Sequence, residues 1–159
     1  MIIRPSHKRH FSLRIGKARQ LTLYALIALL LITGAIWLLV HMTRAEDAMP
    51  NALEPWLMKV HGAASMLIIF VSGTLLYGHM LNAWHQDRNR LAGGVIAISF
   101  LLIGSTGYGL YYFDGDVLRR ITEWLHWIVG FGLPVLLWWH VVSGRKARRA
   151  HSPGAQFLR

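Results

Sequence analysis

The chain has 159 residues, enough for one domain; 54% are hydrophobic and only 15% charged, a balance that argues against a water-soluble domain and for a membrane protein. It contains no cysteine, which excludes disulfides, thiolate-held zinc, iron–sulfur clusters and covalently attached haem together. A formal charge of +10 would fit a nucleic-acid partner, but the basic residues flank apolar runs, so the expected partner is the lipid bilayer and no nucleic acid.

Residues 1–19 form a basic tail, expected to lie along anionic headgroups. The apolar run that follows is longer than the core of a secretory signal and has no convincing small-residue cleavage site after it, so it reads as a retained first helix over 20–42. A short acidic link, Thr43 to Pro55, leads to a second helix over 55–84, with Pro55 suited to its first turn. That helix has Trp56 and Trp84 at its two polar boundaries and many small residues, among them Gly62, Ser65 and Gly78, which permit close approach. The turn Gln86 to Arg90 precedes a third helix over 91–113, glycine-rich and ending in Tyr108, Tyr111, Tyr112 and Phe113. Its glycines are expected to be a packing surface rather than a cofactor wall. Asp116 is a candidate N-cap for a fourth helix that runs to about Ser143, with Gly144 as its C-cap and Pro134 expected to kink it. Residues 144–159 form a second basic tail.

Four windows, Leu21 to Met42, Val60 to Gln86, Leu91 to Phe113 and Leu125 to Gly144, carry no Asp, Glu, Lys or Arg. Each meets the roughly 20 residues needed to cross hydrocarbon, where only a helix satisfies its own backbone. Short connections make the expected fold an all-α, up-down-up-down four-helix membrane bundle spanning 20–143. Of the 17 Lys and Arg residues, 13 belong to the two tails and the 86–90 turn; only Arg44, Lys59, Arg119 and Arg120 lie at the other end, together with six of the seven acids. The positive-inside rule then places both termini in the cytoplasm.

The histidines carry the functional reading. His126 and His140 are 14 residues apart, about 3.9 helical turns and roughly 21 Å, so both leave one face near opposite membrane surfaces. His61 and His79, 18 apart, repeat this at about 5.0 turns and roughly 27 Å. Because the second and fourth helices run the same way, His61 shares the outer level with His126, and His79 shares the inner level with His140. Two facing neutral imidazoles are a good axial pair for haem iron, so the set is expected to hold two non-covalent haems b, with the four histidines as iron ligands. Taken singly, each histidine is as readily an interfacial residue or an interhelical hydrogen bond; the matched set of four tips the balance, since ionisable groups in membrane helices are rare and usually functional. His41 is the alternative to His61, and His85, on another face, is expected at the surface, while His7, His10 and His151 fall in the tails. Arg119 and Arg120, with Lys59, are candidates to meet haem propionates through charge-assisted bonds, against the plainer reading of surface charge.

The segment His126-Trp127-Ile128-Val129-Gly130 … Trp138-Trp139-His140, in a chain with histidines on its second and fourth helices, resembles the last helix of the di-haem b-type membrane cytochromes. That group includes the bacterial cytochrome b561-like proteins and the cytochrome b subunits of formate dehydrogenases and hydrogenases. The resemblance covers roughly residues 20–143 and implies a bacterial inner-membrane subunit that passes electrons between the quinone pool and an outer-side redox protein. Many members draw an inner ligand from the start of the first helix, where this chain has Leu21, Thr22 and Tyr24; His79 then has to supply it. The connections are too short for a catalytic domain of their own, so no catalytic residues are expected. The alternatives are a cofactor-free membrane anchor or assembly subunit, and an oxidoreductase acting on superoxide or quinol, with Trp84, His85 and Asp87 a conjectural quinone contact.

Overall fold

A computed structural model describes residues 15–45, 47–49, 51–87 and 89–150, with only the backbone described for residues 148–150. Among the described residues every regular element is helical. Helix α1 spans Lys17–Thr43 and α2 spans Leu53–Leu75; a π-helical turn, Leu76–Leu81, joins α2 to the short α3, Asn82–His85. Helix α4 spans Arg90–Tyr112 and α5 spans Asp116–Ala150. The segment Leu53–His85 thus forms one rod, and the four rods are each long and apolar enough to cross a membrane.

The rods pair as two antiparallel hairpins, α1 with α2 and α4 with α5, while the hairpins meet each other more sparsely, chiefly through α1 and α5. Inside the first, Leu26 and Ile27 of α1 pack on Ala64 and Ile68 of α2, with Phe100 of α4 and Leu137 of α5 closing over them. Inside the second, Ala92, Ser99 and Thr106 are buried at steps of seven along α4, and Thr122 and Leu133 along α5. A seven-residue repeat keeps one seam turned toward its partner in a left-handed pair, and the small residues let the backbones approach. Since 14 is two such repeats, His126, Leu133 and His140 share the seam of α5.

The two ends of the bundle differ. One carries the 44–52 and 113–115 connections and is called here the two-loop end; the other, the tail end, carries the 86–89 turn. At the two-loop end Asn51 accepts the Leu53 N–H at 3.1 Å while the Glu54 carboxylate accepts the Asn51 N–H at 3.1 Å, a reciprocal cap for α2. Arg44 grips the same carboxylate with two bonds of 2.8 and 2.9 Å, tying the end of α1 to the start of α2. Pro55 sits in the first turn of α2, where its missing N–H costs nothing.

Two local expectations are corrected. Asp116 is the first residue of α5 rather than its cap; Gly115, at φ +85°, makes the reversal that only glycine accepts without strain, and Asp116 faces the positive end of the helix. Gly144 does not end α5, which stays helical to Ala150. A Cβ at Gly144 would lie 3.4 Å from the Asn89 side-chain nitrogen, so this glycine admits the 86–89 turn against the helix instead of capping it. Pro134 lies inside α5, which remains one helix on both sides of it, although the ring removes the N–H that would bond the Gly130 carbonyl.

Candidate functional site

The structure brings the four histidines together in the couples that helix phase and direction give. His61 and His126 face each other at the two-loop end, ring centroids 6.2 Å apart and planes crossing at 59°. His79 and His140 do the same at the tail end, at 6.3 Å and 76°. Between the two levels stand Phe100 and Leu137, packed on the α1–α2 core.

Each ring is held from its own hairpin. The Thr33 hydroxyl on α1 lies 3.0 Å from His61 Nδ1, and the Thr106 hydroxyl on α4 lies 3.1 Å from His126 Nδ1. Both rings thus turn Nδ1 toward their own hairpin and leave Nε2 on the far side of the ring. Glycine lies under three of the four rings, those of His61, His126 and His140. A Cβ would sit 3.3 Å from His61 Cε1 at Gly34, 3.4 Å from His126 Cε1 at Gly107, and 3.8 Å from His140 Cε1 at Gly93. At the tail end the Asn89 amide donates to the His140 carbonyl at 3.0 Å, with the same nitrogen 3.5 Å from His140 Nδ1.

The spacing within each couple is informative. A direct bond between two imidazole nitrogens would bring them within about 3.2 Å. Two metal–nitrogen bonds of about 2 Å, with about 1.1 Å from each nitrogen to its ring centre, span about 6 Å in total. The centroid distances of 6.2 and 6.3 Å match the second arrangement, and ring planes crossed at these angles can share one axis through a metal. Among the described residues no three His, Asp or Glu side chains gather in metal-binding reach. Two opposed imidazoles with no third protein ligand suit an ion whose remaining positions are filled by a planar macrocycle, which is the coordination of haem iron.

The remaining candidates occupy other places. His41 stacks on Trp37 at 4.7 Å and lies 3.8 Å from the Glu54 carboxylate, away from both couples. His85 is exposed, its Nδ1 2.6 Å from the Leu81 carbonyl of its own helix. Arg119 is exposed and lies 3.6 Å from Glu123; Arg120 is exposed; Lys59 lies over the Trp56 ring. Trp84 and Asp87 are both engaged by Arg90, the first under its guanidinium and the second as an ion pair. His7, His10, His151 and Pro50 lie outside the described residues.

Thr33, Thr106, Gly34, Gly107 and Asn89 were not legible as site residues from histidine spacing alone. A signal was present: Thr-Gly occurs at 33–34 and again at 106–107, one residue pair on each helix that packs beside a ligand-bearing one. The π-helical turn that carries His79 had no such signal; its extra residue per turn rotates that side chain and shortens the axial run from His61. No protein-family profile, curated protein or solved structure matches the chain.

Proposed function

We propose that this is a transmembrane electron-transfer cytochrome of b type, holding one haem between His61 and His126 and another between His79 and His140. It would relay electrons between the quinone pool and a redox protein on the outer face of a bacterial inner membrane, as a subunit of a larger oxidoreductase. The observation that carries this reading is the pair of imidazole couples, at opposite ends of one bundle and each at the spacing of a doubly ligated metal. Haem iron with two imidazole ligands exchanges single electrons and has no vacant position for a substrate.

The chain's own residues supply the rest. The four imidazoles would bind and orient, Thr33 on α1 and Thr106 on α4 hold two of the rings, and Phe100 and Leu137 keep the space between the levels apolar. Membrane insertion is supported by the outward faces of the rods, where Phe70 is 73% exposed and Leu101 71%; a bundle in water would bury such side chains. The basic tails and turn support cytoplasmic termini, which puts the two-loop couple on the outer side. Arg119 and Arg120, with Lys59, are the candidate cations for propionates at that end; Arg119 also lies 3.6 Å from Glu123 and Lys59 over the Trp56 ring.

A cofactor-free membrane anchor is the second reading, and the bonds of His61 and His126 to neighbouring helices favour it, since they also serve packing. Pigment decides between the two. Protein purified from haem-replete membranes is expected to show b-type bands on dithionite reduction and two haems per chain by pyridine haemochrome. His126→Ala should lower the count to one. A colourless wild-type protein sinks the cytochrome reading and leaves the anchor.

A further inference from the structure

We infer that Thr33 and Thr106 are positioning residues that hold His61 and His126 as Nδ1–H tautomers and thereby set the reduction potential of the iron between them. This rests on the cytochrome reading for its redox half only. The hydroxyl geometry favours one direction for each bond. Thr33 Oγ1 lies 2.7 Å from the Leu29 carbonyl and 3.2 Å from that of Leu30, and it has one hydrogen, which those oxygens take. Toward His61 Nδ1 the hydroxyl therefore accepts, and the proton sits on Nδ1. Thr106 repeats this: 2.8 Å to the Leu102 carbonyl, 3.1 Å to that of Ile103, and so an acceptor for His126 Nδ1–H.

A threonine bonded back to its own helix is an ordinary way to satisfy a hydroxyl in an apolar segment. Three features set these two apart. They stand on different hairpins, they meet the two rings of one couple, and each is followed by the glycine whose missing Cβ admits the ring. At the tail end His140 has Asn89 above it, donating to the His140 carbonyl and not accepting from the ring through a hydroxyl. His140 thus differs from His61 and His126 in what stands beside its Nδ1. An acceptor on Nδ1–H makes the opposite nitrogen a stronger donor to iron, which favours the oxidised metal and lowers the potential.

The test is a potentiometric titration of the full chain with Thr33→Val, Thr106→Val, the double variant, and Thr33→Ser and Thr106→Ser. Valine keeps the shape and removes the acceptor. One of the two midpoints is expected to rise with each valine, further in the double variant, while the other stays fixed; serine should restore it. A second measurement needs no haem: nitrogen–proton correlation spectra of the imidazoles in the haem-free chain. These should show Nδ1–H tautomers at His61 and His126 in the wild type and mixed tautomers in the valine variants. Unmoved midpoints in a double valine variant that retains both haems overturn the redox half, and wild-type rings protonated at Nε2 overturn the tautomer half. A wild type that takes up no haem refutes the cytochrome reading, and the redox half with it, while the ring spectra still decide the threonines' role.

Discussion

A side chain at residue 34 would crowd the His61 ring that the glycine now accommodates. The nearest imidazole carbon is 3.3 Å from where its Cβ would stand, already tighter than ordinary contact. Gly34→Ala should therefore shift the His61 ring by a few tenths of an ångström. Gly34→Leu should push it off its partner, reducing the haem count from two to one while the tail-end haem and its potential stay as they are. Gly107→Leu should do the same from the other hairpin, by way of His126. Haem content of the two leucine variants is the measurement, and both haems retained at wild-type potentials would show that neither glycine shapes the site. The histidines were legible because an imidazole is conspicuous in an uncharged window and because helix phase is arithmetic. The glycines and threonines beside them were not. Both residue types are common in apolar helices for packing reasons, and only the neighbouring helix reveals which of them touches a ring.

Among the elements, long helices were the most readable, since absence of charge over 20 or more residues leaves little choice of structure. What the pattern could not supply was the behaviour of helix ends and irregular turns, where tertiary contacts override local preference. Gly144 has the sequence character of a C-cap, yet Asn89 crosses α5 at that residue and the helix continues. The His61–His79 run looked 6 Å longer than the His126–His140 run on uniform helix geometry, and the π-helical turn lessens that excess. Asn89 itself ties the tail end together. It holds a left-handed backbone, φ 52°, at the start of α4 while its amide bonds the His140 carbonyl of α5. Alanine there loses the bond, worth about 1 kcal/mol, and keeps a backbone conformation that costs a residue with a Cβ about 1–2 kcal/mol. Glycine loses only the bond. Thermal unfolding in micelles should rank wild type above Asn89→Gly and Asn89→Gly above Asn89→Ala, with the tail-end haem released first. Equal midpoints for all three would remove Asn89 from the site.

At the scale of the whole molecule, which end faces which compartment follows from charge rather than from packing. The bundle would bury the same surfaces either way up; the placement of lysine and arginine breaks the tie. With 13 of 17 basic residues at the tail end, insertion with both termini outside would carry two polybasic tails across the membrane, which the positive-inside bias opposes. The chain's lack of cysteine makes the prediction easy to read, because any introduced thiol is unique. Ala48→Cys, in the exposed link between α1 and α2, should react with a membrane-impermeant maleimide in intact spheroplasts. Ser152→Cys, in the C-terminal tail, should react only after the membrane is opened. The opposite pattern would invert the molecule, put the threonine-backed couple on the cytoplasmic side, and make it the one that meets a cytoplasmic partner. Labelling of both sites from outside would mean that the chain does not cross the membrane four times.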